Sequence, residues 1–350
     1  MSASVRAGRR VAAVVLAATT AILTSCSSQS GPKAGDSQPI EHVKLALSFA
    51  PNGLLAGLVS AIDRGTFTSA GLDIELVQPT TTADSLKLLG GKGSDISLAS
   101  ALDQILAKSR GVNLTSVATT LQDTGSGVMT RADSGIKSLK QLEGHTVGMS
   151  GQVGPRAVFE DLLRRNGVDV SKIRFVIVGF TGGQMLASKR VDALGDQVSY
   201  QIPSYNAAIG RPLDDKTSVW FASYAELGAV KFYAATLNVL QDYLAAHGDL
   251  VRHFLAAWRT GNQWAIENPD AAAALEVKHF PELKLGVVTA QWKQVIKLIQ
   301  STDTATNGLG WQNPAVFDGM SSFLAEHKIA PSKVESSTVM TNDYLPKGSK

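Results

Sequence analysis

The chain has 350 residues, 44% hydrophobic and 18% charged, with 33 Lys+Arg against 30 Asp+Glu, one Cys and six His. That is ordinary globular composition, long enough for two core-forming units, and a single Cys excludes an internal disulfide scaffold and any multi-cysteine metal or iron–sulfur site. The net charge of +3 sits in Arg6, Arg9 and Arg10, so residues 26–350 balance to zero and lack the electrostatic footprint of nucleic-acid binding.

In chain order, the first element is an export signal. A basic segment precedes an apolar stretch, Val11 to Leu23, whose helical rise of about 20 Å is too short for a hydrocarbon core of about 30 Å. It ends in Leu23-Thr24-Ser25-Cys26, which resembles the bacterial lipobox. The resemblance implies a signal peptide over residues 1–25, lipidation of Cys26, and attachment to the outer face of the cell membrane, in a periplasm or at the cell surface. Residues 26–42 are polar and rich in Pro and Gly, and predict a flexible tether.

From Val43 onward, short apolar runs alternate with helical patterns, which predicts an α/β fold with mostly parallel strands. The expected strands are Val43–Ser48, Ile74–Val77, Ile96–Leu98, Leu114–Thr119, Thr146–Met149, Phe175–Val178 and Val219–Phe221. Expected helices run over Leu54–Thr66, Ala83–Leu89, Ala101–Lys108, Pro155–Asn166, Gln184–Ser188 and Tyr200–Ile209. Gly167 and Gly210 stand where C-caps belong. The last third reads as helices at Leu237–Ala246, Asp249–Asn268, Pro269–Lys278, Thr289–Ile299 and Pro314–His327, with Lys231–Ala234 strand-like before them.

In open α/β sheets, ligands bind beyond the carboxyl ends of the strands. The loops there carry hydroxyls, amides and glycines, with Arg156 as the clear basic exception. Helix starts after Thr82 and Gly154 are expected to offer unpaired N–H groups. This chemistry suits hydrogen bonding to a small polar ligand rather than acid–base or covalent catalysis. The six His share no face and contain no HExxH pair, and Gly91-Lys92-Gly93 lacks P-loop spacing, so no metal, cofactor or enzymatic activity is expected.

Several stretches carry a family resemblance: Lys44 to Asn52, Ala56-Gly57-Leu58, Asp63 to Phe67, Ala70 to Glu75, Leu88 to Ile96, Ser188 to Ala193, Asn307 to Trp311 and Asn342 to Pro346. In this order they resemble substrate-binding proteins of bacterial ABC importers, in the branch named for thiamine pyrimidine synthesis. The resemblance implies a two-lobed periplasmic-binding-protein fold of type II with two crossovers. Lobe I would combine residues 43–123 with 224–350, lobe II would be 124–223, and the ligand would lie between them. It also implies an exported monomer that hands a small ligand to a permease and ATPase. The expected ligand is a thiamine pyrimidine precursor; riboflavin, an alkanesulfonate, taurine or nitrate is the alternative, and a ligand sensor a third reading. Fungal relatives make the thiamine pyrimidine and carry a cysteine-rich iron-binding motif, whereas here the sole Cys is the lipidation candidate.

The expected ligand contacts follow from strand ends and motif matches. Asn52 would donate to and accept from a pyrimidine edge, and Phe49 would stack on a ring. Thr80, Thr81 and Thr82, Ser100, Ser150 and Gly151 would supply hydroxyl and backbone groups. Asp196 and Tyr200 occupy the stretch where relatives offer an acid and aromatics, and Tyr224 stands at the second crossover. The pattern departs from the branch at Ile202 and Ala234, where an acid is expected. Trp258 and Trp264 read as core at helical spacing.

Overall fold

The computed structural model describes residues 40–48, 50–79, 84–195 and 200–348. Among these residues the strands are β1 (Glu41–Ala46), β2 (Leu72–Val77), β3 (Ile96–Ala99), β4 (Leu114–Thr119), β5 (Gly127–Arg131), β6 (Thr146–Met149), β7 (Arg174–Ile177), β8 (Ala193–Leu194), β9 (Val219–Ser223) and β10 (Thr236–Leu240). They form two five-stranded sheets, ordered β2-β1-β3-β10-β4 and β7-β6-β8-β5-β9. The first sheet's β1, β2 and β3 run parallel, and β10 enters antiparallel between β3 and β4. In the second, β6 runs parallel to β7 and β8, while β5 is antiparallel to β8 and β9. The chain thus leaves the first sheet after β4, builds the second, and returns through β9 to place β10 at the first sheet's interior.

Most expected elements are present within a residue or two, and the differences have physical reasons. The Leu237–Ala246 helix is not one element: Thr236–Leu240 is a strand, and only Gln241–Ala246 is helical. A strand buried along its length loses the period-two alternation, so its apolar residues do not reveal which structure they belong to. Strand β10 even buries two polar side chains. The Thr236 hydroxyl donates to the Ala99 carbonyl at 3.1 Å, and Asn238 Nδ2 donates to the Thr236 carbonyl at 2.9 Å. Lys231–Ala234 is irregular rather than strand-like, with Tyr233 buried and its hydroxyl accepting from the Asn313 N–H. The last residues of the expected tether are also corrected: Glu41 and His42 belong to β1, opposite Leu72 and Asp73, and His42 pairs with Asp73 and Glu75. Ile40 before the strand is exposed, and residues 26–39 of the tether, Cys26 included, and the signal segment lie outside the described residues.

C-terminal helices cover the first sheet. The Gly248–Glu267 helix buries Val251, Phe254, Leu255, Trp258 and Ala265 on one stripe, each large side chain contributing about 1.5–3 kcal/mol of transfer free energy. Gly261 lets it touch the Ala56–Asp63 helix, because a Cβ there would stand 2.2 Å from that of Ala61. Trp258 is core, as its spacing suggests; Trp264 is half-buried beneath the Arg64 guanidinium. Gly167 and Gly210 adopt the positive φ of C-cap glycines.

Candidate functional site

The loops beyond the carboxyl ends of both sheets meet. Gln291 makes one connection. Its helix, Leu285–Ile299, buries Val288, Trp292, Val295 and Ile299, and Gln291 sits on that apolar face, itself 6% exposed. Its Oε1 accepts from the Gly53 N–H at 3.0 Å, in the loop after β1. Its Nε2 donates to the Tyr200 carbonyl at 3.3 Å and to the Ser204 hydroxyl at 3.1 Å, in the segment after β8. One side chain therefore ties the first sheet's loop to the second sheet's helix, Gln201–Ala208.

Asp103 makes the other connection. It lies in the first turn of the Ala101–Ser109 helix, after β3, and its Oδ1 accepts from the Gly154 N–H at 2.8 Å. Gly154 stands in the first turn of the Val153–Arg165 helix, after β6. The approach requires glycine, since a Cβ on residue 154 would lie 2.3 Å from that of Leu102. Burial pushes the Asp103 carboxyl up to about 6, against the opposing pull of the Gly154 and Val153 N–H groups and the Arg110 charge. The helix starts at Val153, one residue before Gly154, and the N–H of Gly154 itself is engaged within the protein. Gly183 is engaged similarly, donating to Gln201 Oε1 at 3.0 Å. Arg156, the expected basic exception, turns away: its Nε donates to Glu160 at 2.8 Å and its guanidinium covers the Phe175 ring.

The expected contacts fare unequally. The Asn52 amide closes its own turn, with Nδ2 donating to the Ala50 carbonyl at 3.0 Å and Oδ1 accepting from the Leu54 N–H at 3.1 Å. One amide hydrogen remains for another acceptor. Ser100 precedes the Ala101–Ser109 helix, but its fully buried hydroxyl makes no capping bond and has no hydrogen-bond partner. Gly151 has φ +87° and lies against Ile177, and Ser150 is half-buried beside it. Ile177 and Val153 are exposed apolar side chains at this rim. Tyr200 is buried at the N-cap of Gln201–Ala208. The Tyr224 ring is also buried and stacks on Phe159 at 5.7 Å. Phe49, Thr80, Thr81, Thr82 and Asp196 lie outside the described residues.

Sequence reasoning did not single out Gln291, and it reached Ser126 only as part of the strand-end loop Thr124 to Gly127. Ser126 ends the connection from β4 and directly precedes β5: its carbonyl accepts from the Tyr224 N–H, and its buried hydroxyl has no hydrogen-bond partner among the described residues. Gln291 had a readable signal, a polar residue on an otherwise apolar helical stripe, whereas Ser126 carried no mark beyond its place in that loop. No group of His, Cys, Asp and Glu among the described residues suits a metal ion.

The NMT1/THI5 like family model matches residues 52–272. The formylaminopyrimidine-binding protein of Halalkalibacterium halodurans is 24% identical over 307 residues, which cover 87% of this chain and 90% of that protein. The 4-amino-5-hydroxymethyl-2-methylpyrimidine phosphate synthase THI11 of Saccharomyces cerevisiae is 24% identical over 266 residues, covering 75% of this chain and 78% of the synthase. Among solved structures, the alkanesulfonate-binding protein SsuA from Xanthomonas axonopodis pv. citri bound to MOPS superposes with a TM-score of 0.65 at 13% identity, over 87% of this chain and 99% of that one. The architecture is the two-lobed α/β fold of type II periplasmic binding proteins. On the match over residues 52–272, the chain belongs to the NMT1/THI5 like family.

Proposed function

We propose that the protein is the extracytoplasmic substrate-binding lipoprotein of an ABC importer. It captures a small polar heterocycle, first of all a thiamine pyrimidine precursor, between a lobe of residues 43–123 with 224–350 and a lobe of residues 124–223. The observation that carries this reading is the joining of carboxyl-end loops from both sheets by Gln291 and Asp103. A ligand held by both sets of loops stabilises the closed arrangement only as far as it binds that arrangement better than the open one. The Ser100 and Ser126 hydroxyls supply buried polar groups with no hydrogen-bond partner among the described residues, and Val153 and Ile177 an apolar rim, as suits a flat polar ring. The formylaminopyrimidine-binding relative, matched over nearly its whole length, supports the ligand class. Cys26 carries the anchor, the protein acts as a monomer, and permease and ATPase subunits are its partners.

The test is a thermal-shift screen of residues 27–350 against aminopyrimidines, formylaminopyrimidines, thiamine, riboflavin, taurine and alkanesulfonates, because a ligand of the folded state raises the melting temperature. A selective shift with a pyrimidine is expected. A shift with riboflavin or a sulfonate alone overturns the ligand and keeps the binding function. The synthase relatives favour an enzymatic second reading, which mass spectrometry of the same mixtures decides: chemically altered ligand would overturn the binding-protein assignment.

A further inference from the structure

We infer that Asp103 determines the charge selectivity of the cleft: seated at the start of the Val153–Arg165 helix, it is the protein's own anion in the place an anionic ligand would take, and it reserves the cleft for neutral or cationic heterocycles. The inference deepens the proposed function and rests on it for the cleft's location.

Four observations lead to it. The Val153–Arg165 helix spans 13 residues, and its N-cap residue Gln152 makes no side-chain capping bond, so its exposed N–H groups and positive dipole end need an outside acceptor. That acceptor comes from the other sheet's half of the molecule, with Asp103 Oδ1 at 2.8 Å from the Gly154 N–H. The seat is built to fit, because Gly154 packs so closely on Leu102 that no side chain larger than hydrogen is accommodated there. Finally, among the described residues Arg156, at the start of this helix, is committed to Glu160 and Phe175, and the Arg110 charge already acts on Asp103 itself. An incoming sulfonate or phosphate would meet a carboxylate that already holds the N–H it needs. Like-charge contact in a dehydrated site is the strongest form of discrimination such a cleft has.

The test compares the wild-type protein, Asp103→Asn and Asp103→Glu, each titrated calorimetrically at fixed ionic strength with inorganic sulfate, taurine and an aminopyrimidine. Asparagine keeps an oxygen for the Gly154 N–H and removes the charge. Asp103→Asn is expected to raise the ratio of sulfate or taurine affinity to aminopyrimidine affinity by roughly tenfold or more; Asp103→Glu is expected to leave that ratio unchanged. Wild-type protein that binds sulfate or taurine as tightly as the aminopyrimidine overturns the inference, and that arm needs no variant. Folded Asp103→Asn that rejects anions as strongly as wild type also overturns it. Aminopyrimidine binding to both proteins with no anion gain leaves the proposed function standing and removes the charge filter. An anion gain without aminopyrimidine binding does the reverse.

Discussion

Replacing Gln291 by Ala separates folding from closure within a single residue. Two sets of bonds are lost. The Gly53 N–H is buried and loses its acceptor inside the unit built on the first sheet, which costs stability of about 1–3 kcal/mol, the usual penalty of a buried orphan. The donations to the Tyr200 carbonyl and Ser204 hydroxyl span the two sheets' loops, so their loss weakens the closed arrangement rather than either half. At about 0.5–1 kcal/mol for each of these neutral bonds, closure weakens by about 1–2 kcal/mol. Apparent affinity scales with the fraction of molecules in the binding-competent state, so ligand binding should fall roughly 5- to 30-fold. The assay pairs thermal melts of ligand-free protein with calorimetric titration of the ligand identified in the screen. A lower melting temperature with unchanged affinity would refute the reasoning, because it would confine Gln291 to one half and leave the Tyr200 and Ser204 bonds without influence on binding.

Three further outcomes are expected. Gly154→Ala forces a methyl into the backbone and Cβ of Leu102; the overpacking costs about 1–3 kcal/mol and should appear mainly as weaker ligand affinity, so a variant with wild-type affinity would show that the Leu102 contact is not needed for binding. Glu276 is fully buried with neither carboxylate oxygen hydrogen-bonded, and burial holds its carboxyl well above the ordinary range. The folded protein therefore keeps a proton that the unfolded chain releases near pH 4.5, so this residue's contribution to stability declines as pH rises from there through the folded-state value. Glu276→Gln should flatten that decline and melt above wild type at about pH 8; parallel melting curves across pH would count against it. Cys26→Ser should move the protein from the membrane fraction to the soluble one, and retention in the membrane fraction would end the lipid-anchor assignment.

Much of the parallel framework was legible because its signals are local. Leu114–Thr119 and Thr146–Met149 are strands over their full expected lengths, and Pro314 opens its helix at the expected residue. Gly167 and Gly210 mark helix ends through a backbone conformation that side-chain-bearing residues avoid. Strand β10 was not legible: its neighbours β3 and β4 lie more than a hundred residues earlier, and burial on both faces erased its alternation.

The site divides along the same line. Sequence alone determined which loops stand at strand ends and that their chemistry is hydrogen bonding, since hydroxyls, amides and glycines are read residue by residue. The tertiary structure decided which of those groups are taken up within the protein. Asn52 was taken largely into its own turn, Tyr224 went into the core on Phe159, and Gly154 received the carboxylate of Asp103, fifty-one residues away. A polar group's partner is set by where the chain returns in space, and neither helical nor strand periodicity records that distance. Whether a strand-end group faces a ligand or is satisfied within the protein is therefore a property of the folded molecule, as Gln291 shows by reaching Gly53 from 238 residues along the chain.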